Sequence, residues 1–282
     1  MFFYWQIVQM QANEQYISKR IDVPESFAEV FTYFYYAKNN GLKAVHKTLL
    51  PSFQTIMVFN FGKESCISAN DQITLEVPNC LVLGPIKQPF QYMLPAGTEI
   101  LVGNFKGDAF YRFFGMSLAT LPSPQHPDEL ISDNCFTALH HALTRIVSPE
   151  EKVNFILSFC QPYLKESDKI FEAIAASNDT AFNTVKVAAE QTNLSERAIQ
   201  LHHKKYLGYS AKEISRYQRF LKALELLQTY TSAGTKADWF EIVHECNYYD
   251  QSQLIHDFKH FTHLSPKQYV QFQEAICMAQ PG

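Results

Sequence analysis

The stretch of sequence that decides the fold is Trp239-Phe-Glu-Ile-Val-His-Glu-Cys-Asn-Tyr-Tyr-Asp-Gln-Ser-Gln-Leu-Ile-His-Asp-Phe-Lys-His-Phe-Thr-His-Leu-Ser-Pro-Lys-Gln-Tyr269. Its apolar residues recur every three or four positions on either side of Asn247, which predicts two short helices around a tight turn. Asp250 can cap the second helix, and Ser265-Pro266 predicts the start of a third. The second helix has a polar face that is not required for packing in the core. A polar face of this kind is available to contact a partner, so binding is a better first hypothesis for this region than catalysis.

The same arrangement occurs once before in the chain. Residues 185–190 form a predicted helix, Asn193 a turn, and Ser195 the cap of a second helix that ends before Gly208. A long amphipathic helix is predicted over residues 210–228, between the two units. Residues 181–282 are therefore predicted to be an all-α domain with two helix-turn-helix units, at about 185–207 and 239–261.

The second helix of a helix-turn-helix lies in the DNA major groove, where base edges offer a distinguishable hydrogen-bond pattern. Arg and Gln suit contacts with bases, while Lys suits contacts with phosphates. A solvated polar face is the competing interpretation, and the duplication favours DNA contact over it. The predicted DNA-binding residues are Arg197, Gln200, Leu201 and Lys204 in the first unit, and Gln251, Ser252, Ile255, His256 and Lys259 in the second. The predicted inward-facing residues are Ala198, Ile199, Tyr206, Leu254 and Phe258.

Residues 185–227 and 240–269 resemble the paired helix-turn-helix domain of AraC/XylS-family transcriptional regulators. The second unit follows the family signature nearly end to end, from Ile242 to Tyr269. The first unit matches through Leu194-Ser195, through the run from Lys204 to Ser210, and through the helix over 219–227. The resemblance implies a sequence-specific transcriptional regulator in the bacterial cytoplasm, with operator DNA as its partner, a sensor domain, a helical linker and often a homodimer.

Several positions depart from the family pattern. Asn247 and His263 stand where Gly is usual, Leu201 and His256 where Arg is frequent, and His203 where Phe is usual. Asn tolerates a left-handed backbone, so the turn at Asn247 is expected to form. The loss of one Arg can remove a base contact worth about 1–3 kcal/mol. An alternative hypothesis is therefore an effector-binding or interaction protein with a degenerate DNA-binding domain.

The first part of the chain predicts a different class of structure. Strands are predicted at residues 1–8, 54–61, 79–83 and 99–105, and one helix over residues 25–36 after Val23-Pro24. Residues 1–123 are thus predicted to be a β-rich, cupin-like barrel that senses an effector or partner, and 103–118 resembles the end of such sensor regions. Residues 124–180 are predicted to be a helical linker and the candidate dimer interface. The predicted fold class is α+β, multidomain.

Charge and cysteine usage support a DNA-binding protein of the cytoplasm. Residues 181–282 carry 11 Lys/Arg and 10 Asp/Glu, a net +1, whereas residues 1–180 carry 13 and 18, a net −5. A chain with a net charge of −4 is not expected to coat nucleic acid non-specifically. The six Cys form no CxxC pair, which is typical of buried thiols in a reducing compartment. No apolar run approaches the ~20 residues of a membrane span.

A metal-dependent barrel enzyme is the third hypothesis. His46 and His126 are isolated, His140 and His141 point to different faces of a predicted helix, and there is no GxSxG motif. We therefore predict no enzymatic activity, no metal and no cofactor. The aromatic run Phe31–Tyr36, with other aromatic residues of this part, could line a pocket for an apolar or planar small-molecule effector or form a plain aromatic core. The other aromatic residues considered for this pocket are Phe53, Phe59, Phe61 and Phe90.

Overall fold

A computed structural model describes residues 15–63, 65–69, 73–178, 184–271 and 276–277. The strand predicted at residues 1–8 lies outside these ranges. The predicted α+β architecture is confirmed, with strands up to residue 105 and helices over most of the remaining chain. Within the described ranges, no helix is both long and apolar enough to cross a bilayer.

The strands form two sheets of five, which pack against each other and together make up the barrel. Sheet one has the order β1-β2-β9-β4-β7, and sheet two has the order β10-β3-β8-β5-β6. Strand β10 pairs with β3 in parallel, and the other ladders are antiparallel. The strands are β1 (Tyr16–Ile21), β2 (Phe31–Asn39), β3 (Val45–Leu49), β4 (Ile56–Phe61), β5 (Ser65–Ala69), β6 (Ile73–Val77), β7 (Cys80–Leu83), β8 (Phe90–Leu94), β9 (Glu99–Phe105) and β10 (Ile276–Cys277).

Helices follow strand β9. Helix α4 begins after Ser148, whose Oγ accepts a hydrogen bond from Glu151 N at 3.4 Å and so caps the helix. The α-helices are α1 (Ala109–Phe114), α2 (Pro127–Ile131), α3 (Cys135–Leu143), α4 (Pro149–Cys160), α5 (Lys169–Asn178), α6 (Thr184–Thr192), α7 (Glu196–Leu207), α8 (Ala211–Ser232), α9 (Trp239–Glu245), α10 (Gln251–Thr262) and α11 (Pro266–Gln271).

Sheet one is covered on both faces. All six residues of strand β4 are buried, because Ile56 and Val58 face sheet two while Met57 and Phe59 face the helices after the barrel. A strand buried on both sides needs a continuous apolar run rather than an alternating one. The apolar run at residues 54–61 therefore reflects a central strand between two hydrophobic layers.

The prediction of a helix over residues 25–36 is wrong. Only Glu25–Phe27 form a short 3-10 turn, and Phe31–Asn39 is strand β2 between β1 and β9. Successive aromatic side chains of β2 alternate between two buried faces, so an all-aromatic run satisfies a strand better than a one-sided helix. Several of the aromatic residues considered for a pocket instead lie in the core between sheet one and the helices, which supports the aromatic-core alternative. These are Phe31, Phe34, Tyr36, Phe59 and Phe61.

One loop of the barrel inserts into the C-terminal helices. The buried ring of Phe53 lies 4.5 Å from the ring of Tyr217, 5.1 Å from Tyr209 and 6.3 Å from Phe261, measured between centroids. The Tyr217 hydroxyl donates to the Pro51 carbonyl at 2.5 Å. Phe53 has a φ of +56°, a left-handed conformation that few bulky residues adopt. The barrel thus completes part of the hydrophobic core of the C-terminal region.

A second barrel loop holds the same helices through polar contacts. Lys87 Nζ lies 3.1 Å from Glu213 Oε1 at the start of α8. Gln88 Nε2 lies 3.3 Å from His260 Nε2 near the end of α10. These two loops therefore fix the orientation of the C-terminal helices relative to the barrel.

Candidate nucleic-acid interface

The C-terminal region contains the same structural unit twice. In the first unit α6 is followed by Asn193 and then by α7, and in the second α9 is followed by Asn247 and then by α10. Asn193 and Asn247 both adopt left-handed conformations, with φ of +55° and +54°, so the expected turn at Asn247 is confirmed. Helices α7 and α10 both contain 12 residues. The predicted duplication is therefore present in the backbone.

Side chains cap the second helix of each unit as predicted. Ser195 Oγ accepts from Ala198 N at 3.2 Å, and Asp250 Oδ1 accepts from Gln253 N at 2.8 Å. At the other end, α7 stops at Gly208 with φ of +74°, and α10 stops at His263 with φ of +60°. His263 therefore keeps the backbone of the usual Gly, at a cost of about 1–2 kcal/mol for a residue with a Cβ.

The inner faces of α7 and α10 are packed. Ile199 and Tyr206 are buried in the first unit, and Leu254 and Phe258 in the second, as predicted. Ala198 is half-buried. Both helices are thus anchored by one apolar side.

The outer faces carry the predicted DNA-binding residues. Ile255 is half-buried, and Leu201, with 62 % of its surface exposed, is an unusually exposed large apolar residue. An open cleft with a volume of about 590 Å³ runs along the outer face of α7 beside the start of α8. The exposed predicted residues are Arg197, Gln200, Leu201, Lys204, Gln251, Ser252, His256 and Lys259.

The barrel contacts the ends of α7 and α10 and leaves these outer faces open. Leu118 N donates to Lys205 O at 2.9 Å, and the Cδ of Pro85 would lie 2.9 Å from a Cβ at Gly208. Together with the contact at His260, these interactions lie in the C-terminal halves of the two helices. Both helices can therefore approach a ligand with their N-terminal halves while the barrel stays attached.

His203 occupies the core position where Phe is usual in the family pattern. It is buried, and its Nδ1 lies 2.7 Å from the Tyr209 carbonyl, to which it donates. Its Nε2 has no hydrogen-bond partner among the described residues. Burial lowers the pKa of His203, with the hydrogen bond to Tyr209 acting in the opposite direction. His203 thus packs as a neutral, hydrogen-bonded ring in a position built for an aromatic side chain.

An ion-pair cluster under α10 was not predicted from the sequence. Asp257 is buried, and its Oδ1 accepts from Arg216 Nε at 2.7 Å while its Oδ2 accepts from Arg219 Nη2 at 3.2 Å. Arg216 Nη2 also lies 3.1 Å from His256 Nδ1 on the outer face. The signal available in the sequence was a carboxylate at an inward position of α10, which requires a buried cationic partner.

Helix α5 packs against the first helix-turn-helix unit. Ile170 and Ile174 of α5 pack with Val185, Ala188 and Ile199 of α6 and α7. Helix α5 lies within residues 124–180, the range predicted as linker. Its apolar stripe nevertheless forms part of the core of the first helix-turn-helix unit.

The histidines considered for a metal site are dispersed. His140 is buried, stacks on Phe61 with centroids 5.3 Å apart, and has Nε2 2.7 Å from the Asn60 carbonyl. Burial lowers its pKa. His126 instead caps helix α2. In the part of the chain that the structure describes, no group of three or more His, Cys, Asp or Glu is arranged to hold a metal ion.

The duplicated unit matches a known domain family. Residues 188–271 match the family model described as a helix-turn-helix domain. The C-terminal part of this chain is an AraC-type helix-turn-helix domain. A domain of this kind supports a DNA-binding transcriptional regulator. No curated protein matches the chain.

Similar solved structures have low sequence identity to this chain. ToxT from Vibrio cholerae, in its P21 form, is 12 % identical with a TM-score of 0.39, over 91 % of this chain and 98 % of ToxT. Wild-type ToxT with bound unsaturated fatty acid, from Vibrio cholerae strain SCE256, is 12 % identical with a TM-score of 0.40, over 93 % of this chain and 97 % of that ToxT chain. An RmlC-like cupin protein from Desulfovibrio desulfuricans is 12 % identical with a TM-score of 0.25, over 37 % of this chain and 96 % of the cupin protein.

Proposed function

We propose that this protein is a sequence-specific transcriptional regulator that contacts operator DNA with helices α7 and α10. The observation that carries the proposal is the pair of capped 12-residue helices, each packed on one side and open on the other. Two such helices, joined by the 22-residue helix α8, could enter successive segments of the major groove. Arg197, Gln200 and Gln251 are proposed to contact bases, and Lys204 and Lys259 phosphates. Exposed Leu201 suits contact with a thymine methyl group.

The N-terminal barrel is proposed to control this activity by binding an effector or partner. Phe53, Pro51 and Lys87 contact helices α8 and α10, and Leu118 N donates to Lys205 O of α7. These contacts support the proposal, because a change in the barrel would be transmitted to both units. We propose that residues 1–123 form the sensor and that the DNA-binding domain begins at α5. The protein is proposed to act in the cytoplasm, where its DNA is.

A homodimer is proposed to form through the linker helices. Phe155 and Tyr163, at and just after the C-terminal half of α4, expose 43 % and 53 % of their surface. Contiguous exposed apolar patches mark surfaces that bind a partner, and we propose that these two side chains belong to such a patch. Light scattering should give the mass of a dimer for the unaltered chain and of a monomer for Phe155→Asp. A monomer in both samples contradicts the dimer.

Sequence preference tests the central proposal. A duplex selected from a random library should bind the full chain about 10³-fold or more tightly than random duplex at physiological salt. Equal binding to both duplexes at every salt concentration contradicts the regulator and favours the alternative, an interaction protein with a degenerate DNA-binding domain. That alternative is motivated by Leu201 and His256, which stand where Arg is frequent.

Variants of the outer faces assign the contacts. Arg197→Ala and Gln251→Ala should each relax the preference at one base pair by about 1–3 kcal/mol while the other positions stay specific. Glu225→Ala, at an exposed position of α8, is the matched control and should bind as the unaltered chain does. Unchanged specificity in the Arg197 variant contradicts its assigned role.

A further inference from the structure

The outer-face residue His256 is held by Arg216 of helix α8. The guanidinium of Arg216 donates through Nε to the buried carboxylate of Asp257 at 2.7 Å, and its centre lies 5.4 Å from the ring centroid of Phe261. This anchoring aims Nη2 of Arg216 at Nδ1 of His256, 3.1 Å away. The His256 side chain is otherwise open, with 75 % of its surface exposed.

The chemistry of the guanidinium fixes the tautomer of the histidine. Every nitrogen of Arg is a donor and none is an acceptor, so a hydrogen bond between Arg216 and His256 requires Nδ1 of His256 to accept. The nearest carboxylate oxygen of Asp257 lies 3.9 Å from Nδ1, too far to compete as an acceptor for an Nδ1 proton. The ring proton of neutral His256 therefore resides on Nε2.

This arrangement gives the outer face of α10 a donor of defined direction. We propose that His256 donates through Nε2 to a guanine in the major groove, and that Arg216 is the positioning residue that fixes this tautomer. Guanine presents only acceptors, N7 and O6, on its major-groove edge, while cytosine presents a donor there that an Nε2–H cannot accept. Adenine offers N7 beside its own amino donor, and thymine offers the single acceptor O4 beside its methyl group. Guanine, with two adjacent acceptors and no donor on this edge, is therefore favoured. The proposal rests on the proposed function, since it names the base that the second unit selects.

Nitrogen NMR tests the tautomer without DNA. The full chain is labelled with ¹⁵N-histidine, and the signals lost in His256→Ala assign the residue. The imidazole shifts at pH 7.5 should be those of an Nε2–H ring. In Arg216→Met, Asp257 keeps its contact with Arg219, and the His256 shifts should move toward a mixture of tautomers. An Nδ1–H or doubly protonated ring in the unaltered chain overturns the proposal. The proposal is also overturned if His256 has the same tautomer in Arg216→Met as in the unaltered chain.

Base selection tests the role of the donor. His256→Ala should lose roughly 10-fold of the preference for guanine at a single position of the selected site and keep the other preferences. His244→Ala, at an exposed histidine on α9, is the matched control and should select the unaltered sequence. If His256→Ala keeps every base preference, the assigned role of His256 is overturned but the proposed function is not. An unaltered chain that selects no sequence overturns the proposed function and this role of His256 together, while the NMR result still decides the tautomer.

Discussion

Substitutions of Phe53 can measure the backbone strain at the contact between the barrel and the C-terminal helices. Its ring fills a space between Tyr209, Tyr217 and Phe261, so Phe53→Ala should lower the free energy of unfolding by about 3–5 kcal/mol. Alanine keeps a Cβ at a φ of +56°, which costs about 1–2 kcal/mol that glycine does not incur. Glycine in turn loses about 0.4–1 kcal/mol more through the greater entropy of its unfolded chain.

The balance predicts an inverted order of the two variants. Phe53→Gly should be more stable than Phe53→Ala by roughly 0.5–1 kcal/mol, which is the difference of these two effects. The assay is urea unfolding followed by tryptophan fluorescence in a Trp5→Phe background. Trp239 is then the only tryptophan of the chain and lies in the hydrophobic cluster that Phe53 joins.

A matched pair of variants isolates the backbone effect. Phe59 is also buried, but it lies in strand β4, where glycine has no conformational advantage. Phe59→Gly should therefore be less stable than Phe59→Ala by about 0.5–1 kcal/mol. If Phe53→Gly is also the less stable member of its pair, the assignment of strain to Phe53 is refuted.

Three further predictions concern the helices. In His203→Phe the buried ring can no longer be protonated. Because burial lowers the His203 pKa, the stability of the neutral ring is fully present above the ordinary histidine pKa of about 6.5 and is lost as the pH falls below it. As the pH falls from 7.5 to 5, urea unfolding should show that the free energy of unfolding decreases more for the unaltered chain than for His203→Phe. Parallel pH profiles of the two proteins contradict this prediction. Asp257→Ala leaves Arg216 and Arg219 without their shared carboxylate and should cost about 3–5 kcal/mol in the same assay, whereas a loss below about 1 kcal/mol argues against a buried ion pair. Lys204→Ala should weaken binding to all duplexes alike and reduce the slope of log affinity against log salt by about 1, and a change confined to one sequence would make Lys204 a base contact instead.

The sequence determined those features that depend on neighbours along the chain. Helical periodicity, the caps at Ser195 and Asp250, and the breaks at Asn193 and Asn247 are local, because each depends on residues within about one helical turn. They were sufficient to predict both units and to choose outer-face residues of which all but the half-buried Ile255 are exposed. The apolar run of β4 was likewise predicted as a strand from its own composition.

Tertiary structure alone decided the features that join distant residues. Whether Phe31–Asn39 is helix or strand depends on its pairing with β1 and β9, which local pattern does not contain. The partners of Asp257 are 38 and 41 residues away, and the partners of Phe53 lie in another domain. Burial makes these contacts obligatory, since an unpaired buried carboxylate or a strained backbone persists only when the surrounding packing compensates for it. The sequence therefore supplied the two DNA-binding units, and the packing around them supplied the tautomer of His256 and the attachment to the barrel.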